Sequence, residues 1–362
     1  MPHILRHIGN PYEASYVPMM FTSRMAYETK FSFKFRLVNA FIISMESLTM
    51  SFLDNRMKTI YDKHFPAGRY PEYAIMKQNV SLILFCHHFS EKPIRALVPG
   101  MVEIGGIQLN EQPNELPDDI AKFLDDANEH GAIFFSLGTN VRTEHLEPNT
   151  LKIIFNVLSK LPQRVIWKCD KISEVPGNST NIMYKLWLPQ ADILAHRNIR
   201  LFFSHGGKGG ITEAQFYGVP MIVMPIFGDQ PMNSVEVVYR GYGVEIADAE
   251  NITEVDVQQA VNEVLTKSKY RLAVQQFSKV YRDRPMTAKQ TAVYWVEYVI
   301  RNHGALHMQS PLKHLNFVEK HNLDVLSLFA AIIFVIILFI ILGFKIIRII
   351  LCKGLRKKLK TN

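Results

Sequence analysis

A chain of 362 residues that is 48% hydrophobic and 20% charged has the composition of a folded protein, long enough for two domains or for one domain with appendages; it is not that of a disordered chain. The formal charge of +8 sits at one end: Lys345, Arg348, Lys353, Arg356, Lys357, Lys358 and Lys360 supply seven positive charges with no acid among them, which leaves +8 − 7 = +1 elsewhere. No broad basic surface for nucleic acid is implied, and three cysteines (Cys86, Cys169, Cys352) offer neither a disulfide framework nor a zinc-binding spacing.

Residues 1–25 carry Gly, Pro, Asn and Ser turn signals and read as irregular. They hold no basic segment followed by an apolar run, so no signal peptide is expected there. From about Tyr27 to Lys63, apolar residues at three- and four-residue spacing (Phe41, Ile42, Met45, Leu48, Met50, Leu53) predict a helix. A loop with Pro66, Gly68 and Pro71 follows, then strands at Val80–Phe85 and Val102–Ile104. Asn110–Asp119 is polar with two prolines and reads as a linker between domains. It separates an N-terminal domain, residues 1–109, from a C-terminal domain, residues 120–285.

Beyond the linker, helices and strands alternate. The expected elements are helix Asp118–Glu129, strand Ala132–Leu137, a turn at Gly138-Thr139, and a helix from about Pro148 to Lys160. Strands Arg164–Lys168 and Asn181–Lys185 come next, then a loop at Trp187–Gln190 and helix Ala191–His196. An apolar run, Ile199–Phe203, stops at Ser204-His205-Gly206-Gly207; a helical segment from about Gly210 to Tyr217 ends at Gly218, and a second run, Met221–Met224, leads to Phe227-Gly228-Asp229-Gln230. That is one strand–helix–strand unit of a parallel sheet, with polar residues only where the strands' carboxyl ends fall. Helix Glu254–Thr266 has Thr253 as its N-cap. Helix Ala288–Arg301 places Ala292, Trp295, Val296, Val299 and Ile300 on one face, which is expected to pack across the domain junction. Strands spaced by helices mean a parallel sheet covered on both faces.

Residues 286–324 form this returning helix and a segment leading into Val325–Phe344, which is 20 residues without a charge. At 1.5 Å per residue this helix is about 30 Å long, the thickness of a bilayer core. The preceding segment is charge-balanced and the tail, residues 345–362, is basic, so the positive-inside rule predicts a cytosolic tail and a body on the other side. Lys358-Leu359-Lys360-Thr361-Asn362 has the form of a dilysine signal for return to the endoplasmic reticulum; juxtamembrane basicity that binds anionic lipid reads the same residues. The sequons at Asn79, Asn178 and Asn251 are consistent with a lumenal body.

Trp187-Leu188-Pro189-Gln190, His205-Gly206-Gly207, Glu213-Ala214, Gly218-Val219-Pro220, Pro225 and Asp229-Gln230 together resemble the donor-binding signature of the UDP-glycosyltransferases, the UDP-glucuronosyl/UDP-glucosyltransferase family. Phe135–Thr139, Tyr294–Tyr298, Gly9-Asn10-Pro11-Tyr12, Ser15–Pro18 and the single C-terminal span with its lysine tail resemble the membrane-bound animal members. The resemblance implies a GT-B fold, an α/β architecture in which the C-terminal Rossmann-like domain binds the donor and faces a Rossmann-like N-terminal domain, present here in part. It also implies inverting transfer of a glucosyl or glucuronosyl group from UDP-sugar to a small lipophilic acceptor, at the endoplasmic reticulum membrane. UDP-sugar is the donor substrate; neither a metal nor a further cofactor is implied, nor a nucleic acid. An oligomer with itself or with family members is a partner it admits.

By the resemblance, Trp187 stacks on uracil, a contact worth roughly 1–3 kcal/mol per base, and Gln190 holds the uracil and ribose end. His205 donates to the diphosphate, with Gly206, Gly207 and Gly210 letting backbone N–H groups approach it at a helix start. Glu213 accepts both ribose hydroxyls, Asp229 and Gln230 hold sugar hydroxyls, and Thr139 adds a phosphate contact. Taken alone, each residue has a plainer role: Trp187 a core aromatic, His205 structural, Glu213 a first-turn helix acid, Asp229 and Gln230 turn residues. Lys208-Gly209-Gly210 departs from the family, which often carries Asn or Ser among those positions; Lys208 is expected to add charge at the phosphates. Neither GxxxxGK[ST] nor GxGxxG is matched. The family's catalytic His and the Asp that orients it have no matching positions here, and His3, His7, His87 and His88 are not candidates. A chain shortened at its N-terminus is expected. A second reading is a non-catalytic chain that binds UDP-sugar or regulates and oligomerises with family members.

Overall fold

The computed structural model describes residues 5–91, 93–141, 146, 147 and 149–358. His3, the expected helix start at Pro148 and residues 359–362 of the dilysine-like tail lie outside the described residues. Residues 1–309 form one compact unit and residues 310–362 another.

The first unit begins with helices α1 (Ser23–Thr29), α2 (Phe33–His64) and α3 (Tyr73–Gln78) and a parallel pair of strands, β1 (Ile83–Phe85) and β2 (Met101–Glu103). The expected single helix from Tyr27 is broken. Lys30 and Phe31 take left-handed conformations, and Ser32 restarts the chain as N-cap, its side chain accepting from the Phe35 amide. No Gly or Pro marks this break in the sequence.

After the exposed linker come α4 (Asp118–Asp125), β3 (Ala132–Ser136), α5 (Thr150–Leu158), β4 (Arg164–Lys168), β5 (Ile182–Lys185), α6 (Gln190–Ala195), β6 (Ile199–Ser204), α7 (Lys208–Tyr217), β7 (Met221–Val223), α8 (Gln230–Tyr239), β8 (Gly243–Glu245), α9 (Glu254–Thr266), α10 (Ser268–Arg282) and α11 (Ala288–Arg301). The six strands β3–β8 pair in parallel in the order β5-β4-β3-β6-β7-β8. Both faces are buried, as continuous apolar strands require. Phe134, Ile166 and Phe202 enter one core with Leu124, Ile211 and Val274, while Phe135, Trp167 and Phe203 enter the other with Ile154, Val257 and Val261. Successive residues thus serve opposite faces. Phe134 and Phe202 stack at 5.2 Å on one side, and Phe135 lies 4.1 Å from Trp167 on the other.

Thr253 caps α9 as expected, in a reciprocal capping box with Asp256. Among the described elements, α3, α8, β8, α10 and α12 have no counterpart in the sequence reading. Helix α11 does return to the N-terminal strands, but through Ala288, Ala292 and Trp295 against Val102 and Ile104. Val296 and Ile300, expected on that face, are exposed. Small residues there bring the helix close to β2, and the turn of the helix carries the larger ones outward.

In the second unit, α12 (Phe317–Lys320) precedes α13 (Leu323–Lys358). Within it, Leu323–Ile349 is long and apolar enough to cross a bilayer. Helix α2 passes the same test of length and composition. It is tied to the folded unit, however, by buried Asn39, which donates to the carbonyls of Ala14 and Val17 and accepts from Met19 N and Thr22 Oγ1.

Candidate functional site

Strands β3 to β5 run outward in one direction from β3, and β6 to β8 in the other, so the chain reverses its winding between β3 and β6. In open parallel sheets the crevice beyond the strands' carboxyl ends at such a point is where ligands bind. The residues singled out in the sequence follow the carboxyl ends of four strands: Thr139 after β3, Trp187 and Gln190 after β5, His205 to Gly210 after β6, and Asp229 and Gln230 after β7. Topology alone therefore brings them to one edge.

At the reversal two matching turns lie side by side. Ser136 and Ser204 are paired in register. Each hydroxyl accepts from the amide two residues on, Ser136 Oγ from Gly138 at 3.3 Å and Ser204 Oγ from Gly206 at 3.2 Å. Gly138 and Gly206 both have positive φ, 78° and 85°. A Cβ on Gly138 would stand 2.6 Å from His205 Cε1, and one on Gly207 2.5 Å from His205 Nε2. The imidazole of His205 is thus clasped between two glycine turns. Burial pushes its pKa down, against the nearby Asp229 carboxylate and a backbone hydrogen bond at Ser136, with the Lys168 ammonium adding to the fall. Its Nδ1 is buried with no hydrogen-bond partner. No side chain caps the start of α7, which leaves the first amides of that helix and the positive end of its dipole open to an anion.

On one flank Trp187 is 76% exposed, which rules out the core-aromatic reading and leaves its ring free to stack. Gln190, the first residue of α6, donates from Nε2 to Glu213 Oε2 at 2.5 Å. Burial raises the pKa of Glu213, and this hydrogen bond opposes the rise. Gly210 keeps the two helices near: a Cβ there would lie 3.3 Å from Gln190 Nε2. On the other flank, Asp229 is exposed at the N-cap of α8, and its Oδ2 accepts from Asn233 Nδ2 at 2.9 Å. The same amide donates to the Gly206 carbonyl at 2.9 Å, joining the Asp229 turn to the His205 turn. Gln230 is buried, with Oε1 accepting from the amides of Ile226 and Phe227 at 2.8 and 2.9 Å. Its oxygen holds the turn that presents Asp229. Thr139 is exposed at the edge.

Two residues of this edge were not foreseen. Lys168 ends β4 and donates from Nζ to the Gly138 carbonyl at 2.7 Å, placing a cation beside the His205 clasp. Asn233 is the second. A basic residue closing a strand two places from the sheet's reversal was the available signal for Lys168; Asn233 had none, since α8 itself was not predicted. Lys208, expected to add charge to the phosphates, instead donates to Glu91 Oε2 at 2.9 Å.

A profile of the family described as UDP-glucoronosyl and UDP-glucosyl transferase matches residues 4–361. The chain belongs to this family. It is 36% identical over 353 residues to the UDP-glycosyltransferase UGT5 of Dactylopius coccus, covering 97% of this chain and 66% of that one. It is 30% identical over 323 residues to the 2-hydroxyacylsphingosine 1-beta-galactosyltransferase of Rattus norvegicus, covering 88% of this chain and 57% of the relative. The chain thus spans less than two-thirds of the length of these curated relatives. Among solved structures, the glycotransferase of kitacinnamycin matches with a TM-score of 0.53 at 21% identity, over 74% of this chain and 67% of that one. That likeness is one of fold, and the family fold is GT-B.

Proposed function

We propose that this family member binds a UDP-sugar at the β3/β6 reversal and transfers its hexosyl group, glucosyl or glucuronosyl, with inversion to a small lipophilic acceptor. The observation that carries this is the order of groups along one sheet edge: an exposed indole at Trp187, the Gln190–Glu213 pair, the clasped His205 at an uncapped helix start, then Asp229. That order runs from base to ribose to diphosphate to sugar. In the transfer, a bond forms between acceptor oxygen and the anomeric carbon as the bond to the diphosphate oxygen breaks. UDP leaves with the electron pair, and the α7 amides with His205 stabilise the charge that develops on it. The apolar helix of the second unit supports a single-pass anchor in the endoplasmic reticulum membrane, with a lumenal body and a cytosolic tail.

The hydroxyl proton needs a base, and His87 is not placed to serve as one. His87 has dyad-like geometry, Nδ1 lying 2.9 Å from Glu103 Oε1. Its Nε2, the atom a base must present, is buried and 3.8 Å from Glu91. Incubating the chain in vesicles with UDP-glucose or UDP-glucuronate and a phenolic acceptor separates the readings. Acceptor-dependent release of UDP supports transfer, whereas UDP binding without release supports a donor-binding chain. Failure to bind UDP at all removes both.

A further inference from the structure

The geometry points to Glu91 and Lys208 as positioning residues for the diphosphate-facing turn, a role that rests on the donor reading above. Glu91 lies in the loop that follows β1 and is 1% exposed. Its Oε2 accepts from Lys208 Nζ at 2.9 Å, and its Oε1 is buried with no partner. Burying a carboxylate is costly unless it is paired, and the Lys208 ammonium is in direct contact with this one. His87 Nε2 is 3.8 Å from Glu91 Oε2, but its Nδ1 is already engaged by Glu103.

Lys208 is the first residue of α7, next to Gly207, where a Cβ would stand 2.5 Å from His205 Nε2. Holding its side chain therefore holds the helix start whose amides face the donor. Glu236 of α8 lies in the field of Lys208, Glu91 and Arg240, and Arg240 approaches it at 3.9 Å. One lysine thus ties the loop after β1 to the start of α7. Committed to Glu91 in this way, Lys208 acts on the diphosphate through the backbone turn and does not touch it.

The test is calorimetric titration of the full chain in detergent with UDP and, separately, with uridine, which lacks the diphosphate. Glu91→Gln and Lys208→Met are each expected to weaken UDP about tenfold, the scale of one charge-assisted hydrogen bond, and to leave uridine unchanged within about twofold. The exchanged pair, Glu91→Lys with Lys208→Glu, is expected to regain most of the UDP affinity. If Lys208→Met weakens UDP while Glu91→Gln leaves it unchanged or tighter, Lys208 is a phosphate ligand and the positioning role is wrong. Equal losses for UDP and uridine with a lowered melting temperature, or no loss in either variant, overturn it too. A wild-type chain that binds no UDP overturns the donor reading itself, and the wild-type titration shows which of the two has failed.

Discussion

All five residues of β3 are buried, whereas of the 32 residues of α2 only Phe35 and Asn39 are. The six-stranded sheet has apolar cores on both faces, while α2 carries Phe33, Phe41, Leu48 and Phe52 outward and is fixed by the four hydrogen bonds of Asn39. The difference bears on function. Groups at the ends of close-packed strands are held in place before a ligand arrives, which is what a binding site requires. The segment before the linker supplies a docking loop, through Glu91, rather than a cradle.

The contrast breaks most visibly if the sheet core is opened. Phe134→Ala removes a fully buried ring stacked on Phe202 and is expected to cost about 3–5 kcal/mol, read by denaturant unfolding, with UDP binding falling as the strand ends lose their register. Trp187→Ala comes next. Since the indole is exposed, the melting temperature should hold while UDP affinity drops by about 1–3 kcal/mol in calorimetry. A drop in stability with unchanged affinity would make Trp187 a packing residue after all.

Acid sharpens the comparison differently. His88 is fully buried against Tyr281, and burial first, then Arg284, pushes its pKa from 6.5 down to about 4. The unfolded chain takes up this proton at higher pH than the folded one. Stability from neutral His88 is therefore present above pH 6.5 and is lost as pH falls toward 4. His88→Gln should flatten the melting temperature against pH across that window; an unchanged slope would contradict the assignment. The smallest effect is expected at Phe41→Ala on α2, within about 0.5 kcal/mol, because its ring is exposed.

Where a signal was local, the sequence could be read. The Thr253 cap, the strand Arg164–Lys168 and the Gly218 end of α7 depend on neighbouring residues, and they stand where expected. Helix α8 was hidden because Asp229 and Gln230 read as turn residues, although Pro231 behind them fits the first turn of a helix. Helix α10 was hidden because Lys267, an ordinary residue, separates it from α9. In the site, residue types were legible and directions were not. Gln230 turns its oxygen back to the nearby Ile226 and Phe227 amides, and Lys208 turns to Glu91, which is 117 residues away in the chain; spacing encodes neither direction.

The central claim is that a UDP cradle is assembled at the β3/β6 reversal from residues of this chain. Calorimetric titration of UDP into the wild type and Glu213→Ala tests it most directly. Glu213 is half-buried, bonded to Gln190 and assigned to the ribose hydroxyls, so its loss should weaken UDP by roughly 2–3 kcal/mol, about thirty- to a hundredfold or more. Equal affinity in the two proteins, or no binding by the wild type, would contradict the account.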